Sequence, residues 1–182
     1  AIYNKKEVTH MDRFAFLHLP VAMYRAFPCA YHPERIEDEA YIAIVSPLLA
    51  EPGIQKLGDF VQHSDITLLM HVRAVSWMTY TFCKTLGWDH VAAARAGILH
   101  DYVTYDWHVP DPSHRLHGFR HPGFAVTNSR KITELSALEE NMIRRHMWPL
   151  TVVPPKYKEA WALTLVDKVL ATRETLRKYQ KH

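Results

Sequence analysis

The 182-residue sequence has little cysteine, little net charge and no long apolar run. Its two cysteines, Cys29 and Cys83, are far apart, so the sequence predicts neither a disulfide framework nor a cysteine zinc site. A reducing, cytoplasmic location is therefore expected. The formal net charge of +3 gives no clear signal for nucleic acid or for an acidic membrane surface. No run approaches the roughly 18 apolar residues that span a bilayer. The apolar stretch at residues 14–27 is interrupted by Pro20 and Arg25 and is predicted to pack on the domain.

Histidine, in contrast, is abundant. The sequence contains 13 histidines, which raises the expectation of a histidine-rich metal centre. Hydrophobic residues make up 48% and charged residues 23%, as in an ordinary globular protein, and the length is sufficient for one domain with its own core. Apolar residues recur with the period of a helix and show no convincing alternation of period two. We therefore predict an all-α fold.

Capping and stop signals define the predicted helices. Asp89 is expected to cap one helix, and Ser136 and Glu139 form a capping-box pattern that opens another. Gly87 is a predicted helix stop. Before residue 40, three prolines favour short helical pieces broken by turns. The predicted helices cover residues 39–50, 54–62, 64 or 65 to 86 with Ser64 or Asp65 as the cap, 89 to about 101, 121–128, 138–146 and 157–176.

A proline-rich segment, residues 109–119, is predicted to form a loop. Pro122 favours the first turn of a helix, which places His121 at or beside the N-cap of that helix. His114, His117 and His121 would then line the mouth of a site. His117 and His121 are four residues apart and could form a ligand pair, but the glycine between them makes a continuous helix there doubtful.

Metal-ligand side chains occupy inward positions of these helices. His100 and Asp101 are adjacent and follow the apolar run at residues 96–99, where burying a carboxylate without a partner would be costly. His71 and His146 share their helix faces with apolar neighbours, and Asp167 stands inside an apolar helical run. Two histidines and two carboxylates suit a divalent ion such as Mn, Fe, Zn or Mg.

A second ion is also compatible with the pattern. Asp101 could bridge to an ion held by His121 and His146. Two ions about 3.5 to 4 Å apart can generate a hydroxide and hold a phosphoryl oxygen at the same time.

Each of these residues also has a plain structural interpretation. His71 could be a hydrogen-bonded core histidine. Asp167 could be half of a buried ion pair with Arg73 or Lys168. His121 could be only a helix-cap residue. The occurrence of all six candidate residues in one short span, each on an expected helix, favours the metal centre.

The order of His71, His100-Asp101 and Asp167 resembles the HD-domain superfamily, whose members are metal-dependent phosphohydrolases with an all-helical core. The stretches LHDYVTYDWH, LHGFRHPGFA and RRHMWPLT are similar to those of small bacterial HD-domain proteins. The resemblance covers residues 54–174, and the first fifty residues match nothing. It implies an HD-domain helical bundle at residues 54–182 with a metal centre between core helices, and an N-terminal helical extension, residues 1–53, packed on that core.

The resemblance also implies roles for individual residues. Many superfamily members place a lysine three residues after the aspartate, where this chain has Thr104, so the proton donor or phosphate clamp is unassigned and His63 is one candidate for it. The further candidates for catalysis are Asp101, His117, Arg145 and Lys168. The implied ligands of the first metal are His71, His100, Asp101 and Asp167, and those of the second are Asp101, His121 and His146.

The function implied by the resemblance is metal-dependent hydrolysis of a small phosphomonoester or phosphodiester, with nucleotides among the candidate substrates and one or two divalent ions as cofactor. Two alternatives stay open. An HD-fold di-iron oxygenase would use the same six ligands, and a non-catalytic binding module would keep the metal as a structural element. A homo-oligomer is compatible with the sequence as well.

Overall fold

The computed structural model describes residues 15–63, 66–106, 109, 112 and 115–179, with side chains described at residues 18–62 and 66–176 within those ranges. In the described residues the chain forms eight α-helices and one two-stranded antiparallel sheet, which confirms the predicted all-α class. None of the described helices is long and apolar enough to cross a membrane. The helices are α1 (Ala15–Ala26), α2 (Glu39–Leu49), α3 (Pro52–Gln55), α4 (Leu68–Thr85), α5 (His90–Leu99), α6 (His117–Ser129), α7 (Ala137–Arg145) and α8 (Lys158–Tyr179).

Several helix ends lie where the sequence predicts them. The Asp89 side chain accepts a hydrogen bond from the backbone N–H of Ala92 at 2.9 Å and so caps α5. Ser136 and Glu139 form a reciprocal capping box at the start of α7, with bonds of 3.1 and 2.7 Å. Gly87 follows α4 with a φ of +66°, a left-handed conformation that favours glycine. These local signals act as expected because their partners lie within three residues.

The region before α4 differs from the prediction. A helix was expected over residues 54–62, but helical turns end at Asp59, and β1 (Val61–His63) pairs with β2 (Ile66–Thr67). The side chain of Thr67 caps α4 by accepting from the N–H of Met70 at 3.2 Å. The predicted caps, Ser64 and Asp65, lie outside the described residues. The hairpin contains β-branched residues, which favour strands, and the helical signals of this short segment are weak.

Helix α6 begins earlier than the sequence indicates. It starts at His117 rather than beside His121, and Pro122 lies inside it. Leu116, in a left-handed conformation with a φ of 58°, accepts the first helical hydrogen bonds through its carbonyl. The predicted loop is therefore wrong from residue 117 onward, and the glycine at position 118 does not interrupt the helix. His117 and His121 consequently share one helix face.

The core lies where α4 and α5 approach closely. A Cβ on Gly97 would lie 2.4 Å from the Cα of Ser76, so the two backbones come nearer than any side chain on Gly97 would allow. Ala93 and Ala96 of α5 are also fully buried. Helix α8 packs on α4, α7 packs on α8 and α5, and α6 packs on α7.

The N-terminal segment packs on this core at several points. Helix α1 lies against α4, and the indole of Trp77 donates to the carbonyl of Ala26 at 2.9 Å. The Tyr41 hydroxyl donates to Ser76 Oγ at 3.1 Å. The proposed boundary between residues 53 and 54 stays a prediction.

Replacing Ser136 with alanine should lower the free energy of unfolding by about 1 kcal/mol, because the N–H of Glu139 loses its acceptor at the start of α7. Urea titration followed by circular dichroism measures the effect. Ser46→Ala is the matched control, since Ser46 is exposed in the interior of α2 and its hydroxyl donates to the carbonyl of Ile42 in its own helix. Equal midpoints for the two variants would contradict a role for the cap.

Candidate metal centre

Six side chains from five elements meet in the interior of the bundle. They come from α4, from the two residues that follow α5, from α6, from the residue that follows α7 and from α8. Each is at most 9% exposed. Three overlapping groups of three residues can be drawn from these six, and within each group the ligand atoms lie within 4.8 Å of one another. The residues are His71, His100, Asp101, His121, His146 and Asp167, the set that the sequence predicts as metal ligands.

The Asp101 carboxylate lies between two groups of imidazole rings. Its Oδ2 atom is 3.9 Å from His71 Nε2 and 3.5 Å from His100 Nε2. Its Oδ1 atom is 3.1 Å from His121 Nε2 and 3.3 Å from His146 Nε2. The two oxygens of one carboxylate therefore face two histidine pairs, which adjoin each other because His100 and His146 form a further candidate group with Asp167.

Asp167 completes the first group. Its Oδ1 atom is 3.2 Å from His71 Nε2 and 3.7 Å from His100 Nε2. Ligands about 2.1 Å from one ion lie about 3.0 Å apart at right angles and about 3.4 Å apart at tetrahedral angles. The spacings around Asp101 and Asp167 are thus close to those of a metal coordination shell.

Three of the four histidines have their tautomer fixed by a backbone carbonyl. Because a carbonyl only accepts a hydrogen bond, the Nδ1 atom of each ring must carry the proton, which leaves a lone pair on Nε2 in the neutral ring. Metal-binding histidines usually donate their second nitrogen in this way. The Nδ1–H groups are donated by His100 to Gly97 at 2.9 Å, by His121 to His117 at 2.9 Å and by His146 to Ile143 at 2.8 Å.

The Nε2 atoms of the cluster converge. His121 Nε2 and His146 Nε2 are 2.9 Å apart, and because Nδ1 of each ring donates to a carbonyl, two Nε2 lone pairs face each other whenever both rings are neutral. Two lone pairs at this distance repel unless a positive charge lies against them. His100 Nε2 is buried and has no hydrogen-bond partner among the described residues, and Asp101 Oδ1 accepts no properly directed hydrogen bond within that same set. These orphaned atoms fit a divalent ion as their missing partner.

The charges around the cluster also favour a bound metal ion. No Lys or Arg nitrogen of the described residues lies within 4 Å of the Asp101 or Asp167 carboxylates. The alternative of an ion pair between Asp167 and Arg73 or Lys168 is therefore not found in the described part of the chain. Lys168 Nζ instead donates to the backbone carbonyl of His146 at 3.2 Å.

Both aspartates are held ionised. Burial opposes the charged form, but positive charge on the neighbouring rings of His100 and His121 holds the pKa of Asp101 well below its usual value, and a metal ion at the same place would act in the same direction. His100 and His71 likewise lower the pKa of Asp167 against the effect of burial. Buried carboxylates of this kind require a compensating positive charge.

His117 lies beside the cluster. A small cavity of about 10 Å³, lined by Gln62, Asp101, His117 and His121, has room for about one water molecule. The His117 ring stacks on the His121 ring at a centroid distance of 4.5 Å, and its Nδ1 is 3.0 Å from the Tyr105 hydroxyl. Burial, with the negative charge of Asp101, raises the pKa of that tyrosine to about 12. His114 and the side chain of His63 lie outside the described residues.

Arg145 is placed at a different feature. With Arg120 and Arg144 it lines a cleft of about 580 Å³ between α6 and α7. Arg144 pairs with Glu140 at 2.8 Å, while neither Arg120 nor Arg145 has a carboxylate partner within 4 Å in the described residues. A direct role of Arg145 at the cluster stays a prediction. Thr104 is exposed; many members of the HD-domain superfamily have a lysine at the corresponding position.

Two residues next to the cluster are not among those that the sequence predicts for the site. Glu174 is fully buried, with its Oε2 atom 3.0 Å from His71 Nδ1. The Tyr31 hydroxyl donates to Glu174 Oε1 at 2.6 Å. Glu174 follows Asp167 by seven residues, which places both on one face of α8 and is a signal that the sequence does offer. Tyr31 carries no such local signal.

No protein-family model, curated protein or solved structure matches this chain. The structure itself shows a mostly helical protein with a buried histidine and aspartate cluster that could hold a metal ion. This arrangement is compatible with an HD domain.

Proposed function

We propose that the protein is an HD-domain phosphohydrolase that uses two divalent ions to cleave a phosphomonoester or phosphodiester. The observation that carries the proposal is the position of Asp101, whose two oxygens face two histidine pairs within 3.1 to 3.9 Å. A carboxylate between two adjoining ligand groups could be shared by two ions, which supports a two-metal hydrolytic site.

These distances support an assignment of ligands. His71, His100, Asp101 and Asp167 would hold one ion. Asp101, His121 and His146 would hold the other. Divalent ions bound there would bring the pKa of a water molecule close to neutrality and offset negative charge on the phosphoryl oxygens.

The chain's own side chains have further tasks in this proposal. The cavity beside Asp101 and His121 has room for about one water, so it holds the nucleophile while excluding bulk solvent. His117 at the mouth donates a proton to the leaving-group oxygen, with its ring oriented by the Tyr105 hydroxyl and by stacking on His121. Lys168 holds the backbone of His146 and thereby fixes that ligand.

A screen of phosphate esters tests the proposal. The purified protein is loaded separately with Mn²⁺, Fe²⁺, Zn²⁺ and Mg²⁺ and assayed for release of phosphate or alcohol from aryl phosphates, aryl phosphodiesters and nucleotides, with and without air. We expect hydrolysis that depends on the added metal and does not depend on dioxygen.

Two results would contradict the proposal. Dioxygen uptake without ester hydrolysis would indicate the oxygenase, and bound metal with neither reaction would indicate a binding module. Replacing His18, an exposed histidine of α1, with alanine provides a control that should leave the hydrolysis unchanged.

A further inference from the structure

Glu174 makes an unusual contact with the cluster. The Nδ1–H groups of His100, His121 and His146 are donated to backbone carbonyls of their own helical segments. His71 alone uses a side-chain carboxylate, since its Nδ1 is 3.0 and 3.1 Å from the two oxygens of Glu174. That residue lies on α8, far along the chain from α4. The orientation of the His71 ring therefore depends on a tertiary contact.

Burying the Glu174 carboxylate is energetically unfavourable, which supports a functional role for its contact with His71. Glu174 is fully buried, and no Lys or Arg nitrogen of the described residues lies within 4 Å of its carboxylate. Burial of a carboxylate is unfavourable unless hydrogen bonds compensate. Its compensation comes from His71 and from the Tyr31 hydroxyl at 2.6 Å. An apolar residue of similar size would fill this space without the cost of burying a charge.

The geometry of the ring gives the consequence. His71 Nε2 lies 3.2 Å from Asp167 Oδ1 and 3.9 Å from Asp101 Oδ2. A carboxylate on the opposite nitrogen keeps the proton at Nδ1, fixes the plane of the ring and makes Nε2 a better electron-pair donor. Tyr31 in turn fixes the carboxylate by occupying Oε1.

We propose that Glu174 and Tyr31 form a positioning pair for His71, which aims Nε2 of that histidine at the ion shared with His100, Asp101 and Asp167. The inference rests on the proposed metal centre. It gives the segment before residue 54 a part in the site, because Tyr31 belongs to that segment and reaches Glu174 on the last helix.

Replacing Glu174 with glutamine tests the inference. The change keeps the shape of the side chain and removes its charge. We expect the affinity for an ion held by His71, His100, Asp101 and Asp167 to fall about 10- to 100-fold. Mutation of the hydrogen-bond partner of a metal-bound histidine typically has an effect of this size. Competition between the protein and a chromophoric chelator, with Zn²⁺ or Mn²⁺ alone as the probe, measures this affinity without any assay of activity.

Matched controls separate positioning from general damage. Glu159→Gln changes another buried glutamate of α8, whose carboxylate accepts from the backbone N–H of Asp89 at 3.3 Å. Tyr41→Phe removes another buried hydroxyl, which bonds to Ser76. Neither control should change metal affinity, whereas Tyr31→Phe should weaken it several-fold.

A spectroscopic readout distinguishes orientation from stability. In the Co²⁺-loaded protein, Glu174→Gln should shift the visible ligand-field bands, because the His71 donor is weaker or turned, while thermal unfolding without metal serves as the folding check. If Glu174→Gln does not fold, Tyr31→Phe alone decides by the same two measurements.

The outcomes separate the two proposals. Unchanged affinity and unchanged Co²⁺ bands in both Glu174→Gln and Tyr31→Phe, in a protein that binds metal when unaltered, would overturn the positioning pair and leave the metal centre intact. If the unaltered protein binds no divalent ion, the positioning pair and the metal centre are both wrong.

Discussion

Asp101→Ala is expected to lose both ions and all metal-dependent ester hydrolysis together. Each oxygen of this carboxylate faces one histidine pair, so its removal takes one ligand from both groups at once. It also removes the negative charge that would attract a second ion to His121 and His146, since Asp101 is the carboxylate of the candidate group that contains both rings. Elemental analysis after dialysis should therefore show metal content near zero, and not merely a reduced amount.

Two further variants sharpen this result. Asp59→Ala removes an exposed aspartate and should leave metal content and hydrolysis unchanged. His121→Ala should release one ion and keep the other, because the His71 group does not use that ring. Circular dichroism shows whether each variant keeps its helices. Full metal content or full hydrolysis in Asp101→Ala would contradict the role given to this carboxylate.

Gly97→Ala is expected to destabilise the protein by about 3 kcal/mol or more. The added Cβ would lie 2.4 Å from the Cα of Ser76 and 2.8 Å from its backbone nitrogen, and backbone atoms cannot rotate away as a side chain can. Helices α4 and α5 would have to separate. Because the Gly97 carbonyl also accepts from His100 Nδ1, the same displacement should reduce metal content.

Urea titration measures this loss, and Gly123→Ala is the matched control. Gly123 is also helical, but a Cβ there meets no atom within 4 Å. Alanine at that position should be neutral or should stabilise the protein by roughly 0.5 to 1 kcal/mol, because it restricts the unfolded chain. Equal unfolding midpoints for the two variants would show that α4 and α5 are not in close contact at residue 97.

The sequence predicted those parts of the molecule whose causes are local. The caps at Asp89 and Ser136 depend on partners three residues away, and both are found as expected. Five of the six cluster residues are predicted because each is a polar side chain at an inward or terminal position of a helix, and His121 is predicted at a helix start. The structure brings all six together, although their role as metal ligands stays a prediction.

The failures have different causes. The hairpin before α4 pairs residues 61–63 with residues 66–67, which are three to six positions apart, so there one local preference is replaced by another. Pro122 was given its usual place in the first turn, whereas Leu116 opens α6 five residues before His121. The contact of Tyr31 with Glu174 joins residues that are 143 positions apart. Long-range partners of this kind become visible only when the chain is folded.

Metal stoichiometry tests the central claim most directly. The protein is saturated with Mn²⁺ or Zn²⁺, dialysed and analysed for metal per chain, in parallel with His121→Ala and Asp101→Ala. The two-ion cluster predicts about two ions in the unaltered chain, one in His121→Ala and none in Asp101→Ala. Absence of stoichiometric metal from the unaltered chain, or the same content in all three proteins, would contradict it.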